Sequence, residues 1–191
     1  MHTIYFVSHP NVTVDPETSI TDWSLSPVGI QRMNHLLNLR WVADIRSVFC
    51  STEKKAVDGA KILAGHLRLS YTEVHSLGEN DRSATGYLPP AEFELTADQF
   101  FAAPTESVRG WETAKSAQRR IVAAVDQIRT SATTKFPVAI VSHGAVGTLL
   151  LCHLNGWVID RKHDQPGNGG GNYFCFDADT GGVAHGWRPI D

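Results

Sequence analysis

The chain has 191 residues, and 42% of them are hydrophobic, which is enough for one domain with a full core but too little for two. Its formal net charge of -3 argues against nonspecific nucleic-acid binding, because that depends on a basic surface. We therefore expect a single domain over residues 1–191 with no nucleic-acid partner.

The cysteines and the apolar segments indicate where the chain functions. Cys50, Cys152 and Cys175 lie far apart, show no CxxC spacing and are odd in number, which speaks against a disulfide framework. The amino-terminal apolar run is too short for the core of a signal peptide, and no segment approaches the length of a membrane span. These features predict a cytoplasmic protein with no membrane partner.

The first predicted element is a strand over residues 3–7, rich in β-branched and aromatic side chains. The chain turns polar immediately afterwards, at Ser8 and His9. Pro10 disfavours the helical region for the residue before it, so it holds His9 in an extended conformation. A histidine is thus placed at the carboxyl end of a strand, which is where open α/β sheets bind ligands.

Helices and strands alternate along the rest of the chain. Ser26 and Pro27 mark a helix start, and the residues that then share one face are Ile30, Met33 and Leu37. A strand at 48–50 ends at residues 51–53, where a hydroxyl and an early acid indicate a second helix. The apolar stripe of that helix comprises Ala56, Ala60, Leu63 and Leu67.

A weak third strand at 70–74 leads into a polar loop over residues 77–83, and loops of this length are usually functional or disordered. The later predicted elements are a short helix around Phe93 to Phe101, a long helix over 108–129, a buried strand at 138–141, a helix that stops at Asn155-Gly156, and a hairpin pairing 173–177 with 183–187. Together these elements predict an α/β three-layer sandwich, with a mainly parallel sheet between helices.

Four segments that follow strands carry polar groups of related chemistry, and parallel strands bring such segments to one edge of the sheet. The segments are Ser8-His9, Ser51 to Lys55, Glu79 to Arg82, and Ser142-His143-Gly144. Two histidines, a lysine and a carboxylate suit phosphoryl transfer to a histidine, a reaction that requires no metal or other cofactor. In this interpretation His9 attacks phosphorus, cations hold the oxygens, and Glu79 protonates the leaving alcohol.

Further features support or compete with this interpretation. His143 opens a helix, so its ring and the neighbouring N–H groups can face an anion. Lys54 and Lys55 oppose the macrodipole in the first turn of a helix, and a bound anion would relieve that conflict. The glycine-rich stretch 167–171 lacks a nucleotide-binding signature and is interpreted as a flexible loop.

The same residues, in the same order, resemble the histidine phosphatase superfamily, the phosphoglycerate mutase-like proteins. The matching segments are Phe6-Val7-Ser8-His9-Pro10 for a strand ending in Arg-His-Gly, residues 51–60 for Ser-Pro-x-x-Arg-Ala-x-x-Thr-Ala, Leu77-Gly78-Glu79 for Leu-x-Glu, His143-Gly144 for a His-Gly pair, and residues 25–29 for Leu-Thr-x-x-Gly. The resemblance spans nearly the whole chain and implies a mixed sheet of about six strands.

The resemblance implies that His9 is the phosphorylated nucleophile, that Lys55 and His143 belong to the phosphate pocket, and that Glu79 is the proton donor. The predicted catalytic residues are thus His9, Glu79 and His143. The predicted substrate-binding residues are Ser8, Ser51, Lys55, Arg82 and Gly144. The expected partner is a small phosphorylated substrate, and the sequence does not define the oligomeric state.

The chain departs from the family pattern at its cations. Ser8 replaces the arginine beside the nucleophile, and Lys55 replaces the second arginine with a point charge. Arg82 and Arg109 are candidates to supply the missing charge. Three hypotheses remain: a metal-independent phosphomonoesterase that works through phospho-His9, a noncatalytic sensor or scaffold for phosphorylated ligands, and a metal hydrolase that uses His143, His163 and Asp164.

Overall fold

A computed structural model describes residues 2–131 and 136–191 of the chain. The strands and α-helices are, in chain order, β1 (Thr3–Ser8), α1 (Pro27–Leu36), β2 (Ser47–Cys50), α2 (Lys54–Leu67), β3 (Tyr71–Glu73), α3 (Pro90–Ala102), α4 (Ala114–Thr130), β4 (Val138–Ser142), α5 (Gly144–Leu154), β5 (Asn172–Asp177) and β6 (Val183–Pro189). Short 3-10 turns connect several of these elements.

The strands form one sheet in the order β3-β2-β4-β1-β5-β6. The pairs β3/β2, β2/β4 and β4/β1 are parallel, whereas β5 runs antiparallel to β1 and to β6. The predicted mainly parallel α/β sheet is therefore confirmed, and its mixed character comes from the closing hairpin of β5 and β6.

Side chains alternate across the sheet and separate the core into two parts, one on each face. Ile4 and Phe6 of β1 belong to the part that packs against α4 and α5. Val7, the next residue in β1, belongs to the part that packs against α1 and α2. Helices thus cover both faces, and the carboxyl ends of β1, β2 and β4 are left open at one edge.

The start of α1 follows the prediction, but its buried face differs from it. Ser26 Oγ accepts a hydrogen bond from Gly29 N at 3.1 Å, and Pro27 occupies the first turn. Ile30 is 44% exposed, whereas Gly29, Arg32, Met33 and Leu36 are buried. The predicted stripe was wrong at Ile30, because a glycine and an arginine occupy buried positions that a purely apolar pattern does not indicate.

The long helix begins later than predicted, at Ala114 instead of residue 108. Arg109 and Gly110 have φ values of 52° and 83°, which lie in the left-handed region and interrupt a continuous helix. Thr113 Oγ1 then caps α4 by accepting from Ser116 N at 3.1 Å. Trp111 is still buried, but it packs from the preceding loop against Phe100.

The cysteines and the helices bear on the predictions about disulfide bonds and membrane spans. Cys50, Cys152 and Cys175 are buried and carry no disulfide bond. Among the described residues, none of the helices combines the length and the apolar character that crossing a bilayer requires.

Candidate active site

Two histidines meet where β1 and β4 end. Ser8 pairs with Ser142 in the parallel ladder, and His9 N donates to Ser142 O at 3.0 Å. The next residue along each strand is a histidine, and the ring centroids of His9 and His143 lie 5.1 Å apart at an interplanar angle of 74°. The structure thus brings together the two histidines that the sequence placed at one edge.

The tautomer of His9 is fixed by its own backbone. His9 Nδ1 lies 2.9 Å from Pro10 O, a carbonyl that can only accept, so Nδ1 carries the proton and donates. The other ring nitrogen, Nε2, therefore keeps its lone pair. Burial lowers the pKa of His9 to about 4, and the charge of Lys55 acts in the same direction. The ring is neutral at neutral pH, which is the form that a nucleophile requires.

The glycine-rich stretch interpreted as a flexible loop packs directly against this histidine. Gly171 N donates to His9 O at 3.1 Å, and a Cβ on Gly170 would lie 2.2 Å from the same oxygen. Buried Arg32 holds the loop through the carbonyl oxygens of Asn168 at 2.9 Å and Gly171 at 3.5 Å. The loop therefore forms the support on which the His9 backbone rests.

We expect Gly170→Ala to destabilise the fold by more than about 2 kcal/mol, because φ is +79° and the added Cβ clashes with His9 O. Urea unfolding measures the effect. Gly167→Ala in the same loop is the matched control, since a Cβ there meets no atom within 4 Å. Equal free energies of unfolding for the two variants would contradict this role for the loop.

The two adjacent lysines have different environments. Lys54 is half-exposed and pairs with Asp58 at 3.6 Å. Lys55 is 2% exposed, and its Nζ donates to Glu53 Oε2 at 2.6 Å and to Ile20 O at 2.7 Å. Lys55 is therefore the one of the pair that points into the site.

Glu53 is a site residue that the sequence analysis missed, because a carboxylate at the start of a helix has an ordinary local explanation. Its Oε1 accepts from Glu79 N at 2.8 Å and lies 3.4 Å from His143 Nε2. Burial alone would raise the pKa of Glu53, but the ammonium group of Lys55 and the N–H group of Glu79 that the carboxylate accepts lower it. A charged carboxylate thus lies between the lysine and the second histidine.

His143 is fully buried beside His9 and precedes α5. Burial lowers its pKa well below the usual value, with Glu53 opposing, so the ring is neutral. Within the described residues, neither ring nitrogen makes a hydrogen bond that meets normal criteria, and the side-chain nitrogen of buried Asn80 also lacks a partner. Buried polar atoms of this kind are usually paired, so these atoms are suited to hydrogen bonds with a ligand.

Glu79 receives backbone N–H groups from the start of α5. Ala145 N donates to its Oε2 at 3.2 Å and Val146 N to its Oε1 at 3.0 Å. Burial raises the pKa of Glu79, Arg82 opposes this shift, and the charge of Glu53 adds to it. The direction is the one that a general acid requires.

Arg120 on α4 holds the backbone that carries this acid. Its guanidinium donates to the carbonyl oxygens of Ser76, Gly78 and Glu79 at 2.8–3.0 Å, and it pairs with Glu112 at 2.7 Å. The predicted functional loop is therefore anchored to a helix that comes later in the sequence.

A cavity of about 670 Å³ opens over the site. Its polar lining includes His9, Lys55, Glu79, Arg82 and Gly144, and its apolar lining includes Val12, Trp23, Tyr87, Leu88, Phe93 and Trp111. The guanidinium of Arg82 lies 5.3 Å from the ring centre of Phe93 and 5.6 Å from that of Trp111. Arg109 lies on the surface and pairs with Glu92 at 3.2 Å, so Arg82 is the candidate of the two that reaches the cavity.

The two predicted serines contact protein groups. Ser51 Oγ accepts from Glu53 N at 3.1 Å. Ser8 is buried, and its Oγ donates to Gln165 Oε1 at 2.6 Å. The amide end of Gln165 then lies over Gly144, where a Cβ would come within 2.1 Å of it. Neither serine lines the cavity, whereas Gln165, which the sequence interpretation missed, does.

The residues of the metal hypothesis do not assemble. His163 stacks on Trp157, with ring centroids 4.3 Å apart, and Asp164 accepts from Thr148 Oγ1 at 2.8 Å. Over residues 2–131 and 136–191, no three His, Cys, Asp or Glu side chains are grouped to hold a metal ion. The third hypothesis therefore has no ligand cluster to support it.

Comparisons with solved structures show the fold of similar proteins. A mycobacterial glucosyl-3-phosphoglycerate phosphatase is 16% identical with a TM-score of 0.75, and the match covers 97% of this chain and 95% of that one. Bacillus stearothermophilus YhfR is 22% identical with a TM-score of 0.77, covering 96% and 94%. A phosphoserine phosphatase from Entamoeba histolytica is 16% identical with a TM-score of 0.68, covering 91% and 89%.

A family model provides the assignment. No curated protein matches the chain. The model of the histidine phosphatase superfamily (branch 1) matches residues 4–184, nearly the entire sequence. This match confirms the resemblance drawn from the motifs, and with it the expectation of an enzyme of the histidine phosphatase type. The chain belongs to the histidine phosphatase superfamily (branch 1).

Proposed function

We propose that the protein is a metal-independent phosphomonoesterase that acts on a small phosphorylated metabolite through a phosphohistidine at His9. The observation that carries this proposal is the pair of neutral imidazoles 5.1 Å apart, in which the hydrogen bond of His9 Nδ1 to Pro10 O leaves Nε2 as the nucleophile. Two phosphatases among the similar structures, one for glucosyl-3-phosphoglycerate and one for phosphoserine, are consistent with it.

The chemistry takes two steps. His9 Nε2 attacks phosphorus and forms a P–N bond while the bond to the leaving oxygen breaks, and Glu79 gives its proton to that oxygen. Water then attacks phosphorus with Glu79 as the base, the P–N bond breaks, and inorganic phosphate leaves. Lys55 and Arg82, which line the cavity, are the cationic donors proposed for the phosphoryl oxygens.

Trapping the intermediate tests the proposal. Protein mixed with a ³²P-labelled phosphomonoester panel and quenched in base is expected to carry label that is lost in acid, since phosphohistidine is acid-labile. Wild-type protein that takes up no label from any compound of a broad panel would count heavily against the proposal.

The pH dependence gives an independent test. His9 is reactive when neutral, and burial lowers its pKa to about 4, so protonation begins to remove the nucleophile only near that pH. We expect kcat/KM to fall on the acid side with an apparent pKa near 4, not near the ordinary histidine value of about 6.5. Stopped assays across the acid range measure this limb, and a limb centred near the ordinary value would contradict the assignment.

A second candidate function is a noncatalytic sensor or scaffold for phosphorylated ligands. The observation that favours it is the ion pair of Lys55 with Glu53 at 2.6 Å, which reduces the cationic charge available to a transition state. Turnover that survives extensive purification and disappears in a nucleophile variant would rule it out.

We further propose that the protein functions in the cytoplasm and that its partner is a small phosphorylated substrate. The three cysteines are buried without disulfide bonds, which suits a reducing cytoplasm. The net charge of -3 suits a small anionic substrate better than nucleic acid or an anionic membrane surface as the partner, given a cationic group inside the cavity.

A further inference from the structure

The charge of the phosphate pocket is lower than its lysine and histidines indicate. The titratable groups that face one another there come from four segments: His9 after β1, Glu53 and Lys55 at the start of α2, Glu79 and Arg82 in the following loop, and His143 before α5. His9 and His143 are neutral, so Lys55, Arg82 and the two glutamates determine the charge.

The positive charge of Lys55 is balanced by the carboxylate of Glu53. Lys55 Nζ lies 2.6 Å from Glu53 Oε2, and the two side chains are only 3% and 12% exposed, so solvent screens this pair weakly. Glu53 also accepts a hydrogen bond from Glu79 N at 2.8 Å, which ties its carboxylate to the loop over residues 77–83. Arg82 is then the one cation lining this pocket, among the described residues, that has no carboxylate partner within salt-bridge distance.

The charges of the pocket balance a phosphoryl monoanion better than a phosphoryl dianion. Two negative charges would face a neutral ion pair and one arginine, with the carboxylate of Glu53 close by, whereas a monoanion balances that arginine alone. A protonated phosphate also carries an O–H group, and a carboxylate can accept several hydrogen bonds. Both the charge and the hydrogen-bonding pattern therefore favour the monoanion.

We propose that the buried carboxylate of Glu53 makes the pocket selective for phosphoryl groups that carry one negative charge, as in singly protonated monoesters, over the dianion. This inference rests on the proposed function, because it assumes that the phosphoryl group binds beside His9 and Lys55.

Binding of inorganic phosphate at two pH values tests the proposal without turnover. Phosphate is chiefly the monoanion at about pH 5.5 and the dianion at about pH 8.5, whereas sulfate is a dianion at both and reports changes in the protein itself. Dissociation constants come from NMR titration of the histidine ring signals. We expect the phosphate affinity, divided by that of sulfate, to be at least about tenfold higher at the acid pH.

Variants that change the pocket charge extend the test. Glu53→Gln removes one negative charge. The ratio of dianion affinity to monoanion affinity should therefore rise at least about tenfold. Lys55→Gln should strengthen the monoanion preference, and the double variant should restore the wild-type ratio. Glu73→Gln is the control, because it makes the same charge change at an exposed residue of β3.

Each outcome decides the proposal. A wild-type protein that prefers the dianion, or a Glu53→Gln variant that gains equally for both forms, would overturn it. If Glu53→Gln does not fold, the opposite shift in Lys55→Gln and the restored ratio in the double variant decide instead. Because phosphate and sulfate binding need no catalysis, failure to trap phosphohistidine would leave these results standing.

Discussion

His9→Ala is expected to lower kcat/KM by more than about 10⁴-fold and to abolish the acid-labile phosphoryl label, because the variant lacks the atom that bonds to phosphorus. The fold should persist, since the contacts given for the His9 side chain within residues 2–131 and 136–191 are a hydrogen bond to its backbone neighbour, Pro10 O at 2.9 Å, and ring contact with His143. Rapid-quench labelling and steady-state assays on the same preparation measure the two effects.

The matched control for the nucleophile is His66→Ala. His66 is exposed in the last turn of α2, at the opposite end of that helix from Lys55. Its removal should leave both label and rate within about twofold of wild type, since surface substitutions have small effects. Labelling that persists in His9→Ala would mean that another group carries the phosphoryl, with His143 the first to test.

Glu79→Gln is expected to reduce the rate by about 10³-fold for an alkyl phosphate but by less than about tenfold for an aryl phosphate with an acidic phenol. An alkoxide needs a proton as the P–O bond breaks, whereas a stabilised phenolate leaves without one. Burial raises the pKa of Glu79 and favours its protonated form, which glutamine cannot imitate as an acid. Rates for a leaving-group series measure the difference.

Two checks accompany this variant. Urea unfolding shows whether the amide still accepts the N–H groups of Ala145 and Val146 that the carboxylate accepts. Glu106→Gln removes an exposed carboxylate remote from the cavity lining and should leave every rate unchanged. Equal losses for alkyl and aryl phosphates would assign Glu79 a structural role instead of proton transfer.

Local sequence signals predicted the elements well where neighbouring residues determine them. The Ser26 cap, the strand before His9 and the closing hairpin each depend on a few adjacent residues, and all lie where the sequence placed them. The predicted start of α4 was wrong because Arg109 and Gly110 adopt left-handed conformations, which the helical spacing of the apolar residues does not indicate.

The residues of the candidate site likewise fall into those that adjacent residues predict and those that they do not. The two histidines could be predicted to meet because each directly follows a strand of a parallel pair. The presence of Gln165 in the site could not be predicted, since its hydrogen bond with Ser8 joins residues 157 positions apart. Glu53 carried an ordinary local interpretation as a helix-start acid, and nothing in its neighbours indicates a contact with His143, 90 positions later.

The register of Ser8 against Ser142 determines how far apart the two imidazoles can be. Neighbouring strands lie about 4.8 Å apart because of backbone hydrogen bonding, and the ring separation of 5.1 Å follows that interval closely. The separation of the two rings thus follows from the backbone pairing of β1 and β4. Extensive sequence drift elsewhere can leave this dimension intact as long as β1 and β4 keep their alignment.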